Sequence, residues 1–200
     1  MKRRVMLAAT GCGVLTMAAL PASAAGPDQN ATAFVQATAD RMTAIIDGDE
    51  VKATKAARLQ ALVDQSVDSE EIARFCLGRF WRTTTPAQQG RFLQMFHQVL
   101  LDGVTGQISA YKGVKVKTSS AMERDDGTLV PSIVARPGQK DVRVDWLVRP
   151  TSAGLRIQDI IAEGTSLRLT RRNDYAAFMG AHGGDMEALL AAIRQRLEQT

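Results

Sequence analysis

The chain has 200 residues, 45% of them hydrophobic, with 25 lysines and arginines against 21 aspartates and glutamates. Lys2, Arg3 and Arg4 lie in a segment that we expect to be removed, and without these three the chain has 22 basic residues against 21 acidic ones. A chain so close to neutral is not expected to bind nucleic acid, because nonspecific binding needs clustered cations that neutralise several phosphates. The length suits one globular domain with a sizeable core.

The N-terminus has the three parts of a cleavable secretory signal. Basic residues at positions 2–4 precede an apolar run from Val5 to Leu20, and Pro21 to Ala24 follows with small residues that suit signal peptidase. An apolar run of about 16 residues is short for a transmembrane helix. We therefore predict that residues 1–24 are removed and that residues 25–200 form one domain. The arginine pair at the start leaves twin-arginine export open beside the general secretory route.

Helical periodicity dominates the first half of the mature chain. A first helix around residues 34–46 is followed, after a glycine, by a second amphipathic stretch. Asp68, with a glutamate three residues later, predicts the start of a short third helix. Thr85 and Pro86 predict the cap and first turn of a long helix that should end near Tyr111. Its apolar face consists of Phe92, Phe96, Val99, Leu100, Val104 and Ile108.

The second half begins with strand patterns. From Val114 apolar and polar residues alternate, and an Asp-Asp-Gly turn at 125–127 separates two predicted strands. The short turn at 150–154 joins the next two as an antiparallel pair. Helical patterns return after Gly164, so we predict an α+β domain in which N-terminal helices, a curved four-stranded antiparallel sheet and C-terminal helices pack together. The apolar face of the third strand is Val142, Val144, Trp146 and Val148, and the fourth carries Leu155, Ile157 and Ile161.

Few side chains point to catalysis. His97 lies within the long helix and His182 in a glycine-rich turn, and neither belongs to an HExxH motif or a Cys-His array, so a metal site is not expected. The sequence has no GxSxG elbow, P-loop or dinucleotide fingerprint. Loss of the leader would leave Cys76 as the only cysteine, which we expect to be a buried apolar residue and not a reactive thiol. From pattern alone, the aromatic residues at helical spacing are typical of an ordinary core.

Two motifs carry a resemblance to a known family. The first is LGRFWR at residues 77–82, followed by a threonine, two glutamines and FHQVL at 96–100. The second is DIIAEGTSL at 159–167, with an arginine, a phenylalanine and a glycine following in the expected order. With the predicted leader, their order and spacing resemble the MlaC family of toluene-tolerance proteins, periplasmic components of lipid transport, over nearly the whole mature chain. The departures from the family pattern are Val104, Trp146 and Leu155.

The resemblance implies a monomeric periplasmic carrier with no cofactor, no metal and no catalytic residue, whose cargo is one phospholipid. The implied partners are an outer-membrane lipoprotein complex and an inner-membrane ABC transporter with an MCE-domain subunit. A hopanoid-associated branch of the family leaves the identity of the lipid open. Two acyl chains of about 16 carbons would cost on the order of 25 kcal/mol to expose to water, so they need an apolar cleft. We expect this cleft between the curved sheet and the long helix, lined by Phe75, Phe92, Phe96, Val99, Leu100, Val144, Trp146, Val148 and Ile157.

The second motif supplies further candidate residues, namely Asp159, Glu163, Gly164 and Ser166. We expect them to be architectural and to form a strand-to-helix junction in which Ser166 caps the following helix. Arg171 and Arg172 come shortly afterwards. They would either contact a phosphate or an acidic partner, or form a solvated face.

Two other functional classes stay open. Cone-shaped α+β folds with a curved sheet also house isomerases and dehydratases, which would need a buried acid or base such as Asp145 or Asp159. The other alternative is a periplasmic adaptor that binds only protein. Copurifying lipid would separate a carrier from an adaptor, and turnover of a steroid-like substrate would indicate the enzyme.

Overall fold

The computed structural model describes residues 27–106 and 108–199, so the predicted leader lies outside the described residues. None of the helices found in this part of the chain is both long and apolar enough to cross a membrane. The helices are α1 (Pro27–Asp47), α2 (Lys52–Ser66), α3 (Ser69–Leu77), α4 (Pro86–Thr105), α5 (Leu167–Ala181) and α6 (Met186–Glu198), with 3₁₀ helices at Gly78–Thr83 and Ile108–Tyr111.

Side-chain caps fix where several helices begin. The Asp68 carboxylate accepts a hydrogen bond from the backbone N–H of Glu71 at the start of α3. Thr85 and Gln88 form a reciprocal capping box at the start of α4, which satisfies two N–H groups that would otherwise lack partners. The long helix ends at Thr105, earlier than the predicted end at Tyr111, and a separate 3₁₀ turn follows. Two glycines and two β-branched residues between 103 and 106 account for the early end because they disfavour helix.

The strands form one curved, open antiparallel sheet, which confirms the predicted fold class. It has six strands where the sequence predicted four, because two of the strands have only two or three residues and leave no periodic signal. The sheet order is β1-β3-β4-β5-β6, with β2 also paired to β3. The strands are β1 (Lys115–Thr118), β2 (Met122–Arg124), β3 (Gly127–Ala135), β4 (Val142–Thr151), β5 (Gly154–Ala162) and β6 (Thr165–Ser166).

A β-bulge interrupts the pairing of β4 with β5. Leu147 pairs with Asp159, whereas the next residue, Val148, pairs with Ile157, so Gln158 is the extra residue on β5. A bulge bends its strand and increases the local twist. It also allows Ile157, Gln158 and Asp159 to be buried in succession, which strict alternation of faces would not permit for a strand with one covered face.

Two clusters form most of the core. The helical cluster joins α3, α4, α5 and α6 and includes Phe92, Phe96 and Tyr175. The sheet cluster joins α1 to the inner face of the sheet. Val67, between α2 and α3, packs on both clusters and forms a bridge with Ile157 on β5. A third cluster lies between α1, α2 and the second 3₁₀ helix. The buried members of the sheet cluster are Ala31, Val35, Val130, Val148 and Ile157.

Gln36 fastens α1 to the edge of the sheet. Its side-chain Nε2 donates to the backbone oxygen of Val116 over 3.0 Å, and its Oε1 accepts from the backbone N–H of Thr118 over 3.0 Å. One amide side chain thus takes the place of a neighbouring strand along β1. This arrangement keeps α1 over the inner face and satisfies backbone groups that an exposed edge strand would leave open to other chains.

Candidate functional site

The predicted lining residues of α4 lie inside the helical cluster. Phe92 and Phe96 are 0% and 2% exposed. Their rings pack edge-on or tilted against each other and Tyr175, with centroid separations between 5.7 and 6.4 Å, the spacing of favourable aromatic pairs. Val99 and Leu100, one turn further along, are half-buried against the same cluster. The principal neighbours of α4 are α2, α3 and α6.

The predicted lining residues of the sheet lie in the other cluster or beside it. Val148 and Ile157 are 0% and 3% exposed, whereas Trp146 is half-buried. Val144 is also buried on the same face of β4. Phe75, the ninth predicted residue, is half-buried on the helical cluster. The structure therefore divides the predicted lining between two clusters that meet at Val67.

Several half-buried apolar side chains of the sheet cluster were not among the predicted lining residues. Phe34 on α1 faces the sheet cluster, as do Leu155 and Ile160 on β5. Phe34 was visible only as part of a helical pattern, and nothing in the sequence showed that α1 covers the inner face of the sheet. The half-buried state is the relevant signal, because a side chain that lines a cleft keeps apolar surface free for a ligand.

Trp146 is held in place by a buried serine. Its indole Nε1–H donates to Ser132 Oγ over 2.9 Å, and the Ser132 hydroxyl donates to the backbone oxygen of Val144 over 2.7 Å. Ser132 is 1% exposed and lies on the neighbouring strand β3. The polar end of the indole is therefore anchored in the sheet, and its ring lies among the half-buried apolar residues of the inner face. Sequence patterns did not single out Ser132.

The motif residues build the junction between the sheet and α5. Asp159, 5% exposed, accepts hydrogen bonds from Ser166 Oγ over 2.5 Å and from the backbone N–H of Arg168 over 3.1 Å. Ser166 is the N-cap of α5 and accepts from the backbone N–H of Leu169. Arg168 also forms ion pairs with Asp159 and Asp126. The buried carboxylate is thereby satisfied, as burial of a charge requires.

Glu163 and Gly164 form the tight turn from β5 to β6. Both have positive φ, +48° and +81°, the conformation of a two-residue hairpin turn that is unusual for glutamate. The Glu163 carboxylate accepts from the backbone N–H of Arg143 over 2.7 Å, and its own N–H donates to the Arg143 carbonyl over 3.0 Å. These contacts stabilise the turn and extend the pairing with β4.

The electrostatics of the buried groups give no sign of a nucleophile or a general base. Burial raises the pKa of the Cys76 thiol to about 12 and that of Tyr175 to about 12, so both stay protonated at neutral pH. Asp145 is bound by the Arg143 guanidinium through both carboxylate oxygens. The Asp159 carboxylate accepts hydrogen bonds from Ser166 and Arg168. Within the described ranges, no three His, Cys, Asp or Glu residues are grouped so as to hold a metal ion.

A groove of about 350 Å³ opens where the β4–β5 turn meets the start of α3. Three carboxylates, two serines, a threonine and an arginine lie along it. Such a polar surface would leave acyl chains beside charges, and it is not a candidate for binding lipid tails. Its lining residues are Asp64, Val67, Asp68, Ser69, Glu70, Thr151, Ser152, Ala153 and Arg156.

Comparison with known proteins matches residues 36–195 to the family described as MlaC protein. The fold is similar to that of a phospholipid-binding protein from Ralstonia solanacearum, solved in complex with a phospholipid, with a TM-score of 0.74 and 26% identity. That match covers 85% of this chain and 98% of the Ralstonia chain. MlaC proteins form a family of lipid-binding carriers and not of enzymes. Because the family match extends over far more than half of its length, this chain belongs to the MlaC family.

Proposed function

We propose that this protein is a periplasmic carrier that binds a phospholipid by its acyl chains and shuttles it between membrane complexes. The observation that carries the proposal is the match to a chain solved with a bound phospholipid, over nearly the whole length of that chain. Family membership supports phospholipid binding and transport. The half-buried apolar side chains on the inner face of the sheet give acyl chains a place to bind.

The acyl chains would lie between the helical cluster and the sheet cluster. Phe75, Val99, Leu100 and Trp146 already keep apolar surface free at the margins of the two clusters. The predicted lining residues that are fully buried would contact lipid only after the clusters separate around Val67. Each buried CH₂ group contributes about 0.8 kcal/mol, so two long chains offer a gross stabilisation on the order of 25 kcal/mol for such an opening.

The same proposal includes the compartment in which the protein works and the complexes with which it exchanges lipid. Export by the predicted leader would leave residues 25–200 as a single domain in the periplasm, where the family is found. The lipid would be exchanged with an outer-membrane lipoprotein complex and with an inner-membrane ABC transporter that carries an MCE-domain subunit. The chemistry of acyl binding needs no cofactor and no catalytic residue, because the cargo is held by apolar burial alone.

Native mass spectrometry of the mature protein, purified from periplasm without detergent, tests the proposal directly. We expect a mass increment of one phospholipid per chain and release of an intact phospholipid after denaturation. A hopanoid in place of the phospholipid would keep the carrier function and correct the cargo. An unliganded mass, together with no uptake of labelled phospholipid from vesicles, would contradict the carrier and favour an adaptor that binds only protein.

A further inference from the structure

Arginines that stack on aromatic rings are concentrated on one side of the molecule. Five guanidinium groups lie over aromatic rings among the described residues, and all five belong to α3, the first 3₁₀ helix or α5. Such contacts occur roughly once per 70 to 80 residues, so about two would be ordinary for the described length. The concentration identifies a surface on which guanidinium groups are held in fixed positions.

Three of these arginines have their charge balanced within the protein. Arg74 pairs with Glu70, and Arg171 lies 3.7 Å from an Asp174 oxygen. Arg168 is shared between two aspartates. Their guanidinium groups therefore have carboxylate partners already, and a new anionic partner would have to compete with them.

The other two stacked arginines, Arg79 and Arg172, have no such carboxylate partner within the described ranges, and neither does Arg82. We call these three residues the arginine face. None of the three forms an ion pair with any part of the chain that the structure describes. Arg172 stacks 4.8 Å from the centre of the Phe75 ring, and Arg79 lies 4.9 Å from the centre of the Phe80 ring. The rings hold the guanidinium groups of Arg79 and Arg172 in position, and these two groups and that of Arg82 have no ion-pair partner among the described residues.

The backbone brings the three side chains to the same surface. A Cβ on Gly78 would lie 3.4 Å from Nε of Arg172, so the Arg172 side chain packs against the residue that precedes Arg79. Arg79 and Arg82 are three positions apart in a 3₁₀ helix, which has three residues per turn and so places them on one side.

An exposed leucine accompanies the arginine face. Leu169, in the first turn of α5, is 48% exposed. Leu169 precedes Arg172 by three positions and therefore shares its side of the helix. Cations with isolated exposed leucines are characteristic of surfaces that bind the interface of a membrane, where guanidinium groups bind phosphodiesters and leucines enter the acyl boundary.

From these observations we propose that the arginine face docks the protein on anionic phospholipid membranes. The proposal deepens the carrier function and rests on it, since a carrier has to reach the membranes between which it moves lipid. Each unpaired cation near an anionic bilayer raises partitioning roughly fivefold. Three such cations give a weak, salt-sensitive attachment, which suits a protein that must leave the membrane again.

Cosedimentation of the mature, lipid-loaded protein with vesicles tests this. We expect binding to vesicles of one part phosphatidylglycerol and two parts phosphatidylcholine, loss of that binding as salt rises, and little binding to phosphatidylcholine alone. Reversal of two charges in Arg79→Glu with Arg172→Glu should lower partitioning at least about 25-fold. Because Arg172 packs on Phe75, the pair Arg79→Gln with Arg82→Gln provides a milder variant, expected to lose about 25-fold from two neutralised cations.

Lys115→Glu with Lys117→Glu is the matched control. Both lysines are exposed on β1, at the sheet edge opposite β5 and β6, and the change in net charge equals that of the double arginine reversal. Equal binding to both vesicle types, equal losses in control and test variants, or no vesicle binding by the wild type would each overturn the docking surface. The last result would favour an acidic protein partner. Vesicle binding by a protein that carries no lipid would instead leave docking intact and contradict the carrier function.

Discussion

Removal of the Ser132 hydroxyl should weaken the fold and release the indole that faces the proposed cleft. Ser132→Ala deletes the hydrogen bond from Trp146 Nε1 and the one to the Val144 carbonyl. Each neutral hydrogen bond contributes about 0.5 to 1.5 kcal/mol net, so we expect a loss of about 1 to 3 kcal/mol. For a domain of this size each kcal/mol lowers Tm by about 2 to 4 °C, so the loss corresponds to a fall in Tm of roughly 2 to 12 °C.

A double-mutant cycle isolates the contribution of the contact with Trp146. Trp146→Phe removes the donor, so Ser132→Ala should cost about 1 kcal/mol less in that background than in the wild type. Urea unfolding followed by circular dichroism gives the four free energies of unfolding. Ser119→Ala, at an exposed serine between β1 and β2, serves as the control and should change the free energy of unfolding by less than about 0.5 kcal/mol.

Lipid content distinguishes a positioning role from a purely structural one. With the indole free to turn, we expect Ser132→Ala to carry phospholipids of a wider range of chain lengths, measured by native mass spectrometry. Fluorescence of Trp146 in a Trp81→Phe background should report a changed environment. A coupling energy near zero, or an unchanged lipid profile in a destabilised Ser132→Ala protein, would refute the idea that Ser132 positions Trp146 for lipid.

The remaining predictions concern a buried thiol, a strained turn and the contact between the clusters. Because burial raises the pKa of Cys76 from 9.0 to about 12, its thiol should resist alkylation in the folded protein at pH 8. Because the folded protein favours the protonated thiol, the contribution of Cys76 to the free energy of unfolding should be complete below pH 9 and decline as pH rises toward 12. In urea titrations, the free energy of unfolding of Cys76→Ala should therefore fall less over this pH range than that of the wild type. Glu163→Ala should lower the free energy of unfolding by about 1 to 2 kcal/mol, because it loses the hydrogen bond from the Arg143 N–H while the positive φ remains. Glu163→Gly should lower it less, because glycine adopts a positive φ without strain. A disulfide between Val67→Cys and Ile157→Cys, made without Cys76, should block uptake of labelled lipid until it is reduced, and equal uptake by the oxidised protein would contradict opening at this point.

The parts of the fold that depend on local chemistry could be predicted from the sequence. Thr85 with Pro86 marks the start of α4 because a hydroxyl cap and a residue without an N–H suit a helix N-terminus. Ser166 caps α5 for the same reason. The family resemblance is also confirmed, by the match of residues 36–195 to the MlaC family.

The parts that depend on distant contacts could not be predicted. Alternation assumes a period of two residues, so the bulge at Gln158 was invisible, and with it the burial of Asp159 beside Ile157. The sequence patterns did not single out Val67, because its bridge to β5 arises only when the chain folds back. Periodicity correctly predicted that Phe92 and Phe96 on α4 face the core. It could not report that their neighbours are helices, because it describes one face of one element at a time.

The division of the core into two clusters bears on how a lipid could enter without unfolding the protein. Phe92 and Phe96 are enclosed by the helical cluster itself, and Val35 and Val148 by the sheet cluster, so each can stay packed while the two move apart. Val67 is the one apolar side chain of the described residues assigned to both. Exposing that side chain costs about 1.5 to 3 kcal/mol, and breaking the hydrogen bonds from the Asp68 N–H to the Ile157 carbonyl and from Gln158 to the Asp68 carboxylate adds about 0.5 to 1.5 kcal/mol each. The sum is still far below the gross stabilisation that two acyl chains provide. Opening at this contact should therefore cost little free energy compared with lipid binding. The bound lipid should stabilise the open arrangement by burying the apolar surface that opening exposes.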